Sequence, residues 1–216
     1  MRWQAVIFDL DGTLLETERL VIEAGMLTMG EMGLPQKREV LLGLVGTVGD
    51  ETAARLIDAY GPAFDIAAYE SIWAGHFTAL LEQGIPLRPG VTDLLDHLGA
   101  IGMPYAIATN SRTEGAVHHL GLAGILRYFD PAHIHGRDQV ENPKPAPDLF
   151  RLAAQGLGAD PALCLAFEDS DPGAAAAFAA GMTVVMVPDQ RVPRFAGAHI
   201  IADSLLSGAK AARLME

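Results

Sequence analysis

Short apolar, β-rich runs recur along this chain at 5–8, 105–108, 163–167 and 183–187, with helical patterns between them. A weaker run lies at 132–135, and 199–202 reads as a last edge strand. The segment 91–98 carries apolar residues at helical spacing, and 114–120, 147–155 and 171–180 also read as helices. Pro147 and Pro172 suit first-turn helix positions, where the missing N–H would have no partner anyway. Strands alternating with helices predict an α/β fold: a Rossmann-like parallel sheet with helices on both faces.

The alternation stops between about 17 and 84. Helical patterns at 18–32, 50–60 and 66–83 follow one another there with no convincing strand. A helical block between the first and second strands reads as an insertion. It leaves near Leu15-Glu16 and returns through Gly84-Ile85-Pro86-Leu87-Arg88-Pro89-Gly90, a proline-rich hinge. The expected division is a core of 1–16 and 86–216 with an α-helical subdomain at 17–85.

Composition narrows the function. Half of the 216 residues are hydrophobic and 19% are charged, enough for a sizeable core. The net charge of −12 supplies no cationic excess to displace counterions from phosphates, so nucleic acid is not an expected partner. The longest apolar stretch, 174–187, is too short to span a bilayer and is divided by Gly181. No positive leader precedes an apolar stretch at the N-terminus, and the expected compartment is the cytoplasm. The single Cys164 allows no internal disulfide and reads as a buried thiol.

The chemistry sits where the strands end. The first run leads into Asp9-Leu10-Asp11-Gly12-Thr13, the second into Thr109-Asn110-Ser111, and the third into Glu168-Asp169-Ser170. Lys144 lies between Pro143 and Pro145, just before a helical segment. In open α/β sheets ligands bind beyond the carboxyl ends of the strands, so adjacent strands would gather these residues. Two like charges about 4 Å apart repel by roughly 4 kcal/mol at an effective dielectric near 20. Asp9 and Asp11, joined by Asp169 and Glu168, therefore call for a shared cation or proton. Carboxylate and carbonyl oxygens with no His or Cys beside them suit Mg²⁺. With Lys144, Mg²⁺ would neutralise both the acids and a phosphoryl group. Thr109 and the amides of Asn110 and Ser111 would hold phosphate oxygens. Taken singly, each of these groups is commonly a turn, a cap or a solvated side chain; their joint order is what points to a site.

In that order, Asp9-Leu10-Asp11-Gly12-Thr13, Thr109, Lys144-Pro145-Ala146-Pro147-Asp148 and Phe167-Glu168-Asp169-Ser170 resemble the four motifs of the haloacid dehalogenase superfamily. The resemblance covers essentially the whole chain and is nearest to the phosphoglycolate phosphatase and β-phosphoglucomutase branch. It implies that the helical insertion is a cap and that Asp9 is a nucleophile forming an aspartyl-phosphate. Asp11 would be the general acid and then base, and Thr109 and Lys144 would bind the phosphoryl group. Mg²⁺ would be held by Asp9, the Asp11 carbonyl and Asp169, with Glu168 nearby or ligating.

Departures from the family's patterns narrow the choice. The acid at Asp11 favours phosphate monoesters over haloacids or phosphonates. Val21 stands where the resembling mutases carry histidine, and the cap loop Gly46-Thr47-Val48-Gly49-Asp50-Glu51 has no arginine for a second phosphate. The expected function is a phosphatase of a small phosphorylated metabolite, a sugar phosphate or a phosphoglycolate-like acid. A phosphosugar mutase and a non-catalytic phosphometabolite-binding regulator are the alternatives. Specificity would fall to cap residues such as Thr17, Arg19, Thr47 and Asp50. Trp73 and Phe77, one helical turn apart, read as cap core. His76, His97, His118, His119, His133 and His135 show no metal-ligand spacing and read as structural. The oligomeric state is not legible.

Overall fold

A computed structural model describes residues 2–45, 47, 49–188 and 195–216, so Gly46 and Val48 of the expected cap loop lie outside the described residues. In chain order the elements are β1 (Ala5–Phe8), α1 (Thr17–Glu31), α2 (Arg38–Leu44), α3 (Asp50–Tyr60) and α4 (Ile66–Glu82). There follow α5 (Val91–Ala100), β2 (Tyr105–Thr109), α6 (Thr113–Leu122), β3 (Ile134–Gly136) and α7 (Asp148–Gly156). The chain closes with β4 (Cys164–Glu168), α8 (Asp171–Ala179), β5 (Thr183–Met186), β6 (Ile200–Ile201) and α9 (Leu205–Ala211).

The strands form one sheet in the order β3-β2-β1-β4-β5-β6, and every pairing is parallel. This is the α/β fold expected from the alternation of runs. The order reverses between β1 and β4, which places a crevice at the carboxyl ends of the central strands. Every residue of β1 and β4 is buried, as befits strands covered on both faces. Alternate side chains go to opposite faces. Ala5, Ile7, Ala106, Ala108, Cys164, Ala166, Val184 and Met186 pack with Leu149, Phe150 and Ala153 of α7 and Ala174, Ala176 and Ala177 of α8. Small side chains there let both helices approach closely. The alternate residue Phe8 stacks on Phe167 with ring centroids 5.3 Å apart and meets Tyr105 edge-on at 6.4 Å. Cys164 is buried as expected, and burial pushes its thiol up to about 11, so it stays protonated and unreactive at neutral pH.

The chain divides into two compact units, Met1–Glu16 with Pro86–Glu216, and Thr17–Ile85. The second contains α1 to α4 around Ile22, Met29, Leu41, Leu44, Leu56 and Tyr69. Trp73 packs against that cluster, stacks on Phe77 at 4.7 Å and donates from its indole N–H to the Val21 carbonyl at 3.3 Å. No helix among the described residues is long and apolar enough to cross a membrane.

Some boundaries differ from the pattern. β3 begins two residues later than the apolar run suggested, because Asp130 caps a short 3₁₀ turn over Pro131–His133 by accepting from Ala132 N at 2.9 Å. Pro172 is in the first turn of α8, but α7 begins at Asp148, which leaves Pro147 at the cap position. The segments α2 and α9, seven residues each, are too short for a periodicity reading.

Candidate active site

The site begins with a turn that only glycine can make. Asp9 is still in register at the end of β1, its N–H donating to the Phe167 carbonyl at 2.9 Å. The chain then doubles back: the Leu10 carbonyl accepts from Leu14 N at 2.9 Å and Leu15 N at 3.1 Å, and Gly12 N donates to Leu15 O at 2.8 Å. Gly12 has φ +89°, and a Cβ there would collide with the Asp169 carboxylate. The buried Thr13 donates from its hydroxyl to Asp169 Oδ1 at 3.0 Å, tying the β1 loop to the β4 loop.

At the end of β4 the Glu168 side chain is fully buried, and both oxygens are engaged. Oε1 accepts from Lys144 Nζ at 2.6 Å. Oε2 accepts from the Asp169 N–H at 3.1 Å, the Ser170 N–H at 3.1 Å and the Ser170 hydroxyl at 3.0 Å. The same hydroxyl caps α8 by accepting from Gly173 N at 3.2 Å. A Cβ on Gly173 would overlap the Glu168 carboxylate. Gly173→Ala should therefore lower stability by about 1–3 kcal/mol, because overpacking outweighs the gain in helix propensity. A denaturant midpoint at or above wild type would contradict this.

Lys144 is the cation at the centre. Its ammonium is buried, 2.6 Å from Asp9 Oδ1 and 2.6 Å from Glu168 Oε1, and 4.8 Å above the Phe150 ring. Burial works to lower its pKa, but the two facing carboxylates override this and raise it above the ordinary lysine value, so it stays charged. Burial pushes Asp9 up to about 7; Glu168 and Asp11 add to the rise and Lys144 opposes it. The Lys144 backbone is also held. Asn110 donates from Nδ2 to the Lys144 carbonyl at 3.1 Å and accepts the Lys144 N–H on Oδ1 at 3.0 Å. The Asn110 side chain thus fixes the lysine loop. Thr109 is buried at the end of β2, and its hydroxyl accepts from Ser111 N at 3.0 Å. The α6 cap comes instead from Asp138, which accepts from Thr113 N at 2.7 Å.

Asp11 lies within the turn with its side chain 31% exposed. Its Oδ2 accepts from the Ser111 hydroxyl at 2.6 Å. Its Oδ1 is 3.5 Å from His119 Nδ1, long for a hydrogen bond but within ion-pair range if the imidazole is protonated. From sequence alone His119 reads as structural, and nothing there assigns a role to the Ser111 hydroxyl. No spacing signal could have found this contact, because it depends on how α6 lies against the β1 loop. Ser111 and His119 also line an open cavity of about 840 Å³ whose wall includes Arg112 and Arg137. Glu114 lies on the same wall, so its charged lining is two arginines against one carboxylate.

Asp9, Glu168 and Asp169 each offer an oxygen, and these lie within 4.8 Å of one another. The donor set is all oxygen, which suits Mg²⁺ and not a soft metal. In the helical unit, Thr17 starts α1 with a buried hydroxyl that has no hydrogen-bond partner among the described residues. Thr47 donates to the Leu44 carbonyl at 2.7 Å and its hydroxyl meets Thr52 Oγ1 at 2.8 Å.

Residues 6–187 match the family model described as haloacid dehalogenase-like hydrolase. The chain belongs to the haloacid dehalogenase-like hydrolases. This haloacid dehalogenase-like chain is 37% identical to protein CbbY of Rhodobacter capsulatus, over 88% of its length and 87% of the relative's. It is 33% identical to the fructose-1-phosphate phosphatase YqaB of Escherichia coli, over 86% of its length and 97% of that protein. A haloacid dehalogenase family hydrolase of Deinococcus radiodurans, solved with bound phosphate and sodium, superposes with a TM-score of 0.84 at 31% identity, covering 99% of this chain and 95% of that one. The chain is therefore a hydrolase, and the phosphatase class expected from its motifs agrees with its named relatives.

Proposed function

We propose that this chain is a Mg²⁺-dependent phosphatase of small phosphorylated metabolites that works through an aspartyl-phosphate on Asp9. The observation that supports this best is Lys144, buried and shared between Asp9 and Glu168 at 2.6 Å each. A carboxylate held by a cation at a strand end is an oriented nucleophile rather than a random surface acid. Asp9, Asp169 and the Asp11 carbonyl would hold the ion. Glu168, with both oxygens engaged, would anchor Lys144 and the Asp169 backbone from behind. When bound, Mg²⁺ would neutralise the carboxylates and the non-bridging phosphoryl oxygens.

In the first step an Asp9 carboxylate oxygen attacks phosphorus, the bond from phosphorus to the ester oxygen breaks, and Asp11 gives that oxygen its proton. In the second, Asp11 takes a proton from water, the water oxygen attacks phosphorus, and the bond to Asp9 breaks to release inorganic phosphate. Thr109 and Lys144 would hold the phosphoryl oxygens throughout. Thr17 and Thr47 would contribute to choosing the leaving group, and the helical unit would act as the cap.

The test is inorganic phosphate release from p-nitrophenyl phosphate and a panel of sugar and organic-acid phosphates, in Mg²⁺ and in EDTA. Release in Mg²⁺ and its loss in EDTA are expected. Equal rates in both would remove the metal, and interconversion of phosphosugar isomers without release would favour a mutase. A folded protein inert toward the whole panel in Mg²⁺ would favour a binding protein.

A further inference from the structure

The Asp11 carboxyl is gripped from the β2–α6 side by two side chains that the reading above leaves unused. Ser111 donates to Oδ2 at 2.6 Å, and His119 Nδ1 stands 3.5 Å from Oδ1. His119 Nδ1 is buried with no hydrogen-bond partner among the described residues. A buried imidazole nitrogen without a partner is costly. The mount behind these groups is stiff. Arg137 N donates to the Ser111 carbonyl at 3.0 Å, and a Cβ on Gly136 would strike the backbone of residues 111–113, so the start of α6 lies hard against β3. Asp11 itself is on a short loop with its side chain about a third exposed.

We propose that Ser111 and His119 are positioning residues for Asp11, holding its carboxyl on the line along which it hands a proton to the leaving oxygen. This rests on Asp11 being that proton donor. The His119 contact would shorten when substrate closes the site, as catalytic hydrogen bonds commonly do. Ser111 and His119 touch Asp11, not phosphorus, so they matter only as far as the leaving group needs a proton.

That dependence supplies the test. p-Nitrophenolate leaves without a proton, whereas the alkoxide of benzyl alcohol cannot. kcat/KM is compared for benzyl phosphate and p-nitrophenyl phosphate, because it reports on events up to departure of the alcohol and not on the later hydrolysis. The variants are Asp11→Asn, Ser111→Ala, His119→Ala and His119→Asn, whose amide nitrogen can take the place of Nδ1. In Ser111→Ala and in His119→Ala the ratio of benzyl to p-nitrophenyl kcat/KM should fall about 10- to 100-fold. His119→Asn should return most of that loss. If either alanine variant fails to fold, the other carries the test alone. If Asp11→Asn collapses the ratio but both alanine variants lower the two substrates equally, the positioning role is wrong and the reading of Asp11 stands. If Asp11→Asn leaves the ratio at its wild-type value, Asp11 is not the proton donor and the proposal falls with that reading.

Discussion

Asp9→Asn should remove phosphate release, by about 10⁴-fold or more, and leave the protein folded. The amide nitrogen is no nucleophile toward phosphorus, so no covalent intermediate forms. The fold tolerates the change for a reason visible in the site. Burial pushes Asp9 up to about 7, so its charge is already strained in the metal-free protein. An amide oxygen can accept from Lys144 in its place, and Lys144 keeps Glu168 as its counter-ion at 2.6 Å. The melting temperature in EDTA should therefore match or exceed that of wild type at pH 8, while stabilisation by added Mg²⁺ shrinks. Activity within tenfold of wild type would remove Asp9 as the nucleophile.

Lys144→Met should be strongly destabilising, by about 3–5 kcal/mol near pH 8. Methionine fills much of the volume over Phe150, so the loss is electrostatic rather than a cavity. Asp9 and Glu168 would face each other without their shared cation. The pH dependence has a definite sign. Asp9 already titrates well above its ordinary 3.8, and removing Lys144 takes away the charge that opposed the rise. A carboxyl with a raised folded-state pKa binds its proton more tightly folded than unfolded. Its stabilising contribution is present below about pH 4 and is lost as pH rises through the folded pKa. The deficit of the variant relative to wild type should thus be smallest near pH 5 and largest near pH 8, as read from urea midpoints. A deficit independent of pH would mean that Lys144 acts by packing alone.

The parts of the fold readable in advance were those with strong local periodicity. β1, β4 and β5 are continuous apolar runs because both of their faces are covered, and α5 shows its buried face at helical spacing. The helices α2 and α9 fell below the length at which a period can be counted. β3 was displaced because a capped 3₁₀ turn consumes part of its apolar run. Among the site residues, Asp9, Lys144, Glu168 and Asp169 were singled out because carboxylates and a lysine at successive strand ends are chemically conspicuous. The Asn110 side chain holds the backbone of Lys144, a partnership its place in the sequence does not show.

The sequence by itself determined that these acids stand at strand ends, that the donors gathered there are oxygens, and that so many acids call for a shared cation or proton. Each of those follows from residue type and local spacing. Only the tertiary structure decided the partnerships. The strand order β2-β1-β4 puts Thr109, Asp9 and Glu168 side by side, although 100 residues separate the first two. Lys144 reaches two carboxylates at once because a loop far along the chain is clamped to Asn110. His119 comes to Asp11 because Gly136 lets the start of α6 lie against β3. Contacts of this kind depend on which strands neighbour one another and how closely a helix can approach, and neither is encoded in the spacing of residues along one segment.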